Sequence, residues 1–223
     1  MLKPEDFKEL YRVFHSAPTA FDCGKKCAPF NDGEPFCCDT GWVVPIAFPE
    51  EWEYLQKQSC LWHEFRPRNS DEFDLVEEID ADESVFVECR GPRYCERENR
   101  SISCRTFPFE PYLDTKGNFL GIIYNRVIED KCYLVDRHSV VTKEFVKMFM
   151  RFFENFFVFL PSERELYMEQ SRIYRNQMSR RKKPVVVLTL KGPFEAAYRG
   201  GKLLAQWTKP DPSEAIFEFS PER

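Results

Sequence analysis

Histidine is scarce here: His15, His63 and His138 are the only three in 223 residues. All three lie outside the cysteine-rich stretches, so surface or core hydrogen bonding is the expectation for them, with His63 the nearest to a thiol. An excess of positive charge is also lacking. Lys and Arg number 32 against 37 Asp and Glu, for a net charge of −5, which gives nucleic acid no basic footprint to bind. Long apolar runs are missing as well. The most hydrophobic stretch, Phe145 to Leu160, is interrupted by Lys147, Arg151 and Glu154, so no membrane partner is expected. The opening segment MLKPEDFKELYRVFHSA has no unbroken apolar core, and a cytoplasmic location is the expectation.

Several chemical signatures are absent too. Gly200-Gly201 sits in a polar turn, and Gly117 and Gly121 do not complete a nucleotide-binding fingerprint. The carboxylates of residues 71–83 lack EF-hand spacing and read as a solvated strand or hairpin edge. There is no nucleophile elbow, no internal repeat and no low-complexity tract.

Thiols are what the chain does have. Nine cysteines occur, an odd number in a chain expected to be reduced, and neither fact suits a disulfide framework. Four fall within CGKKCAPFNDGEPFCC: Cys23, Cys27, Cys37 and Cys38. Cys89, Cys95 and Cys104 follow, closing on CRTFPFEPY. Thiolates on Gly- and Pro-bearing loops suit soft-metal coordination. Cys23 and Cys27 have the separation of a zinc knuckle. The adjacent Cys37 and Cys38, if extended, would point to opposite faces and serve two different centres, or contribute one ligand and one bystander. Cys89, Cys95 and Cys104 are spaced too widely for a zinc ribbon and lack the compact runs of bacterial ferredoxins or of radical S-adenosylmethionine enzymes. Arg105, beside Cys104, is a candidate donor to a sulfur or a partner for the acidic segment.

The remaining pattern predicts an α+β fold. Phe7, Leu10, Tyr11 and Phe14 mark an amphipathic helix with Pro4 in its first turn. Pro49 opens a second helix over PEEWEYLQKQ, and SVFVEC reads as a strand. Strands are expected over Asn118–Ile128, Cys132–Asp136, Pro184–Leu190 and Ala215–Phe219. The 22 Phe residues predict an aromatic core, with Phe145, Phe149, Phe152, Phe153, Phe156 and Phe157 on one helix. Ser162 and Glu165 suggest a capping box for the next helix. Its basic end, Arg180 to Lys183, suits the helix dipole. These elements suggest a loop-rich, cysteine-cluster metal-binding core with short strands and flanking helices over residues 1–140, and a C-terminal helix–helix–strand region over 141–223.

The early cluster ending in Cys37-Cys38, then Cys89, Cys95 and Cys104-Arg105-Thr106-Phe107-Pro108-Phe109, resembles the YkgJ-type cysteine-cluster family of zinc- or iron-chelating domains. The likeness spans roughly residues 20–135 and makes Cys132 the counterpart of a later family cysteine. It implies a metal ion as partner, with Cys23, Cys27, Cys37, Cys38, Cys89, Cys95, Cys104 and Cys132 as ligands and Cys60 left over. Zinc, iron or a [4Fe–4S] cluster would be the cofactor. A related branch of that family implies the alternative, an iron–sulfur-dependent enzyme of redox chemistry or protein lysine methyl transfer.

Overall fold

The computed structural model describes residues 2–77 and 84–212. It shows an α+β protein with two antiparallel sheets. The chain divides into two compact units. One comprises Leu2–His15 and Gly24–Phe107; the other comprises Ser16–Cys23 and the chain from Pro108 onward. The division therefore falls at Phe107/Pro108 rather than near residue 140, because the strands that follow Pro108 pair with those of the C-terminal region.

The first unit opens with α1 (Pro4–Val13), whose Phe7, Leu10 and Tyr11 are buried, as is Phe14 just beyond it. Pro at the first position and Glu5 and Asp6 in the first turn favour that start. A single turn, α2 (Gly24–Cys27), leads through 3-10 turns at Ala28–Phe30 and Phe36–Cys38. Then come β1 (Ile46–Ala47), α3 (Pro49–Gln58), β2 (Trp62–Glu64), α4 (Ser70–Glu77), β3 (Val85–Cys89) and α5 (Ile102–Thr106). The three strands pair in the order β1-β3-β2. α4 replaces the strand or hairpin edge expected for the start of the acidic segment. Asp71 and Glu72 lie in its first turn, where the helix dipole favours carboxylates. Residues 78–83 lie outside the described residues.

This unit is tied together by a buried ionic network. Glu51 of α3 is wholly buried and accepts hydrogen bonds from the Tyr11 hydroxyl, the Ile102 amide and the Phe48 amide. The Arg105 guanidinium lies 4.2 Å from the Tyr11 ring centre and donates to the carbonyls of Phe14, Glu98 and Arg100. Burial pushes the Glu51 carboxyl up to about 7, against the bonds from Tyr11, Ile102 and Phe48.

The second unit holds β4 (Phe109–Leu113), β5 (Phe119–Tyr124), α6 (Lys143–Phe159), α7 (Pro161–Arg180), β6 (Val185–Thr189), β7 (Gly192–Ala196) and β8 (Leu203–Gln206). The strands run in the order β4-β5-β6-β7-β8, with Ile122 opposite Leu188 where β5 meets β6. Thr142 caps α6 by accepting from the Phe145 amide. Phe145, Phe149, Phe152, Phe153, Phe156 and Phe157 are all buried, and burying each such ring is worth about 1.5–3 kcal/mol. Phe145 packs on Phe109 of β4, and Phe153 and Phe157 pack on Phe119 of β5.

α7 begins at Pro161 with Leu160 as its cap residue and no side-chain cap, so the expected capping role of Ser162 does not occur. Arg175 of α7 is buried and donates to the Leu113 carbonyl at 2.8 Å. A Cβ on Gly201 (φ +73°) would lie 2.8 Å from Arg175 Nη1, so glycine is needed there for both conformation and space. Cys132–Asp136 is a turn segment rather than a strand, with Asp136 at φ 62°. The strand expected over Ala215–Phe219 lies outside the described residues.

Candidate functional site

All nine cysteines are thiols, and the first unit brings five of them to one cavity, four of which come from four separate segments. Each of these four arrives on a different local structure. Cys38 ends the 3-10 turn Phe36–Cys38, its amide bonded to the Pro35 carbonyl at 2.8 Å. Cys89 is the last residue of β3, opposite Trp62 of β2. Cys95 follows the 3-10 turn Pro92–Tyr94. Cys104 lies in α5, with its amide capped by the Ser101 hydroxyl at 3.2 Å. These four thiols line one cavity of about 30 Å³, together with Cys37 and Arg100. Leu61, Trp62, Pro45 and Pro92 contribute apolar wall.

The four sulfurs sense one another. Burial pushes the Cys104 thiol up to about 12; Arg100 opposes that rise, and Cys38, Cys95 and Cys89 add to it. Burial also raises Cys89, with Cys38 and Cys95 contributing further. Arg100 is the cation of the group, its Nε donating to Cys95 Sγ at 3.0 Å. Burial alone would weaken its charge, yet Cys104, the bond to Cys95, and Cys38 together raise its pKa. Burial thus holds Cys104 and Cys89 as neutral thiols beside a fixed guanidinium.

The other expected ligands are placed differently. Cys37 lines the same cavity as Cys38 but is exposed. The pair is in a 3-10 turn, where neighbours are about 120° apart, not in extended chain, so it does not face two separate centres. Cys27 is buried, with its thiol toward the Gly24 carbonyl at 3.4 Å. Cys23 and Cys132 belong to the other unit, where Cys132 lies in the electrostatic environment of Tyr124. His63 is exposed on β2, its Nδ1 at 3.1 Å from the Glu64 carbonyl, and His138 is buried against the Tyr124 ring.

Among the described residues, the Arg105 guanidinium donates to the backbone carbonyls of Phe14, Glu98 and Arg100 rather than to a sulfur or a carboxylate of the acidic segment. The residue that contacts a thiol is Arg100, which sequence reasoning passed over. Its signal was its place between Cys95 and the Ser101 cap of α5.

A four-thiol donor set is that of structural zinc or of mononuclear iron. A cavity of about 30 Å³ has room for one ion or a water or two. Among the described residues, no three or more His, Cys, Asp or Glu side chains already stand in ligating geometry, so ligation would require the sulfurs to close inward. No protein family, curated protein or solved structure matches the chain, so the family resemblance rests on the cysteine motif alone. No helix among the described residues is long and apolar enough to cross a membrane.

Proposed function

We propose that this chain is a metal-binding protein that holds a single zinc or iron ion on Cys38, Cys89, Cys95 and Cys104. The observation that carries this reading is the convergence of four thiols, from four separate segments, on one small cavity beside Arg100. A divalent ion with four thiolates carries a formal charge of two minus, and the Arg100 guanidinium offsets part of it. Binding displaces the thiol protons, so affinity rises with pH. The same bonds would tie β3, α5 and two short turns together, supplying folding free energy directly. Cys37 is a neighbour of the site rather than a ligand, and Cys23, Cys27 and Cys132 are outside it.

The test is metal analysis after anaerobic purification. One zinc or iron per chain is expected, colourless for zinc and absorbing in the visible for iron–thiolate. Cys104→Ser and Cys38→Ser should lose that stoichiometry, whereas Cys23→Ser, Cys27→Ser and Cys132→Ser should keep it. A wild-type chain without metal, whose fold is unchanged by a chelator, would overturn the proposal.

A further inference from the structure

Cys89 and Arg90 are neighbours at the end of β3, yet they line different cavities. Cys89 borders the thiol cavity. Arg90 borders a second pocket, of about 350 Å³, with Cys60, Arg93, Tyr94, Cys95 and Glu96. The split falls where β3 ends at Cys89 and the chain bends at Arg90. Leu61 and Cys95 line both cavities and so form the partition between them.

The wall of this second pocket is shaped by a tight turn. Gly91, at φ +96°, turns the chain into the 3-10 segment Pro92–Tyr94, and the Tyr94 amide bonds back to the Gly91 carbonyl at 3.1 Å. The Arg90 guanidinium then stacks over the Tyr94 ring at 4.7 Å, a contact that orients it. Arg93 supplies a second guanidinium. Glu96 is the one carboxylate in the lining, and it accepts from Asn99 Nδ2 at 2.6 Å. The pocket is therefore net positive in a chain whose net charge is −5. Its volume falls within the range of small-molecule sites.

We propose that this pocket binds a small molecule bearing an oxyanion, carboxylate or phosphate, held by Arg90 and Arg93 against the outer side of Cys95. Guanidinium forks match both oxyanions in bidentate geometry. The assignment does not depend on whether the thiol cavity holds a metal ion. Cys60 is exposed and lies in this pocket, whereas Cys37 is exposed and lies outside it.

That contrast supplies the experiment. Alkylation of Cys60 and Cys37 by neutral iodoacetamide is followed by mass spectrometry, with inorganic phosphate, citrate or chloride at matched ionic strength. At ten times its dissociation constant a bound anion slows Cys60 about ten-fold by mass action, while Cys37 keeps its rate. Protection by phosphate alone or by citrate alone supports the site and identifies its oxyanion. Arg93→Gln should weaken the protection, and Arg90→Gln with Arg93→Gln should abolish it. Equal Cys60 rates in all three salts overturn the proposal, as does undiminished protection in the double variant. Because metal content is measured separately, failure here is distinct from failure of the metal reading.

Discussion

The unit built on the chain from Pro108 onward and the unit built on Gly24–Phe107 solve the same physical problem by different means. The former buries a row of phenylalanines from α6 against a five-stranded sheet. The latter has three strands of two to five residues and relies on a buried carboxylate, a buried guanidinium and a group of thiols. Apolar burial needs only area, so it tolerates local rearrangement. A polar interior needs every group satisfied, and loss of one partner strands another. A chain region with such short strands is where a bound ion contributes most to holding the fold.

The sharpest way to break this contrast is to remove a ring from the aromatic side. Phe149 is fully buried between Phe145 and Phe153. Phe149→Ala should cost about 3–5 kcal/mol, read as a lower urea midpoint and faster hydrogen exchange at β5 and β6 amides. Metal content should not change. A variant that lost both stability and metal would erase the distinction between the two units.

The polar side should betray itself through pH. Glu51 has a folded pKa raised to about 7 from 4.5. Its carboxyl is neutral in both folded and unfolded chains below about 4.5. Between about 4.5 and 7 the unfolded chain releases the proton first, so stability falls as pH rises through this window. The full loss is of order 3 kcal/mol and is reached above pH 7. Glu51→Gln removes that titration, though it sacrifices the bond from the Phe48 amide. The difference in unfolding free energy between the two chains, measured from pH 4.5 to 8, should therefore change with this sign. A constant difference would show that Glu51 does not titrate in the folded state.

The two units were also unequally legible in sequence. The apolar spacing of Phe145 to Phe157 fixes a helix face directly, and Pro49 with its following glutamates marks a helix start; both elements are present. The strands β1, β2, β4, β7 and β8 were not legible: β1, β2 and β8 have only two to four residues, and β4 and β7 each contain a proline. The start of the acidic segment, through Glu77, is helical because Asp71 and Glu72 among Phe73, Leu75 and Val76 also suit a first helical turn. In the site, the cysteine types were evident but not their grouping. Cys38, Cys89, Cys95 and Cys104 meet through the pairing of β2 with β3 and the docking of α5, which are long-range facts. Arg100 carried only a weak signal, its place between Cys95 and Ser101, because its contact with Cys95 depends on two turns rather than on a motif.

Arg100 provides the subtlest probe of the contrast, because it alters the thiol group without removing a sulfur. Its guanidinium donates to Cys95 Sγ and is electrostatically coupled to Cys104 and Cys38. Outer partners of metal ligands typically change affinity by about 10–100-fold. Arg100→Gln, which keeps a donor but drops the charge, should weaken metal binding by that factor, about 1.4–2.7 kcal/mol. Arg100→Lys restores the charge without the planar fork and should recover part of it. The order wild type, Lys, Gln in competition with a chelator would assign the effect to charge. Equal loss in both variants would assign it to the directed N–H···S bond instead, and no loss in either would leave Arg100 as packing and remove the electrostatic argument for the site.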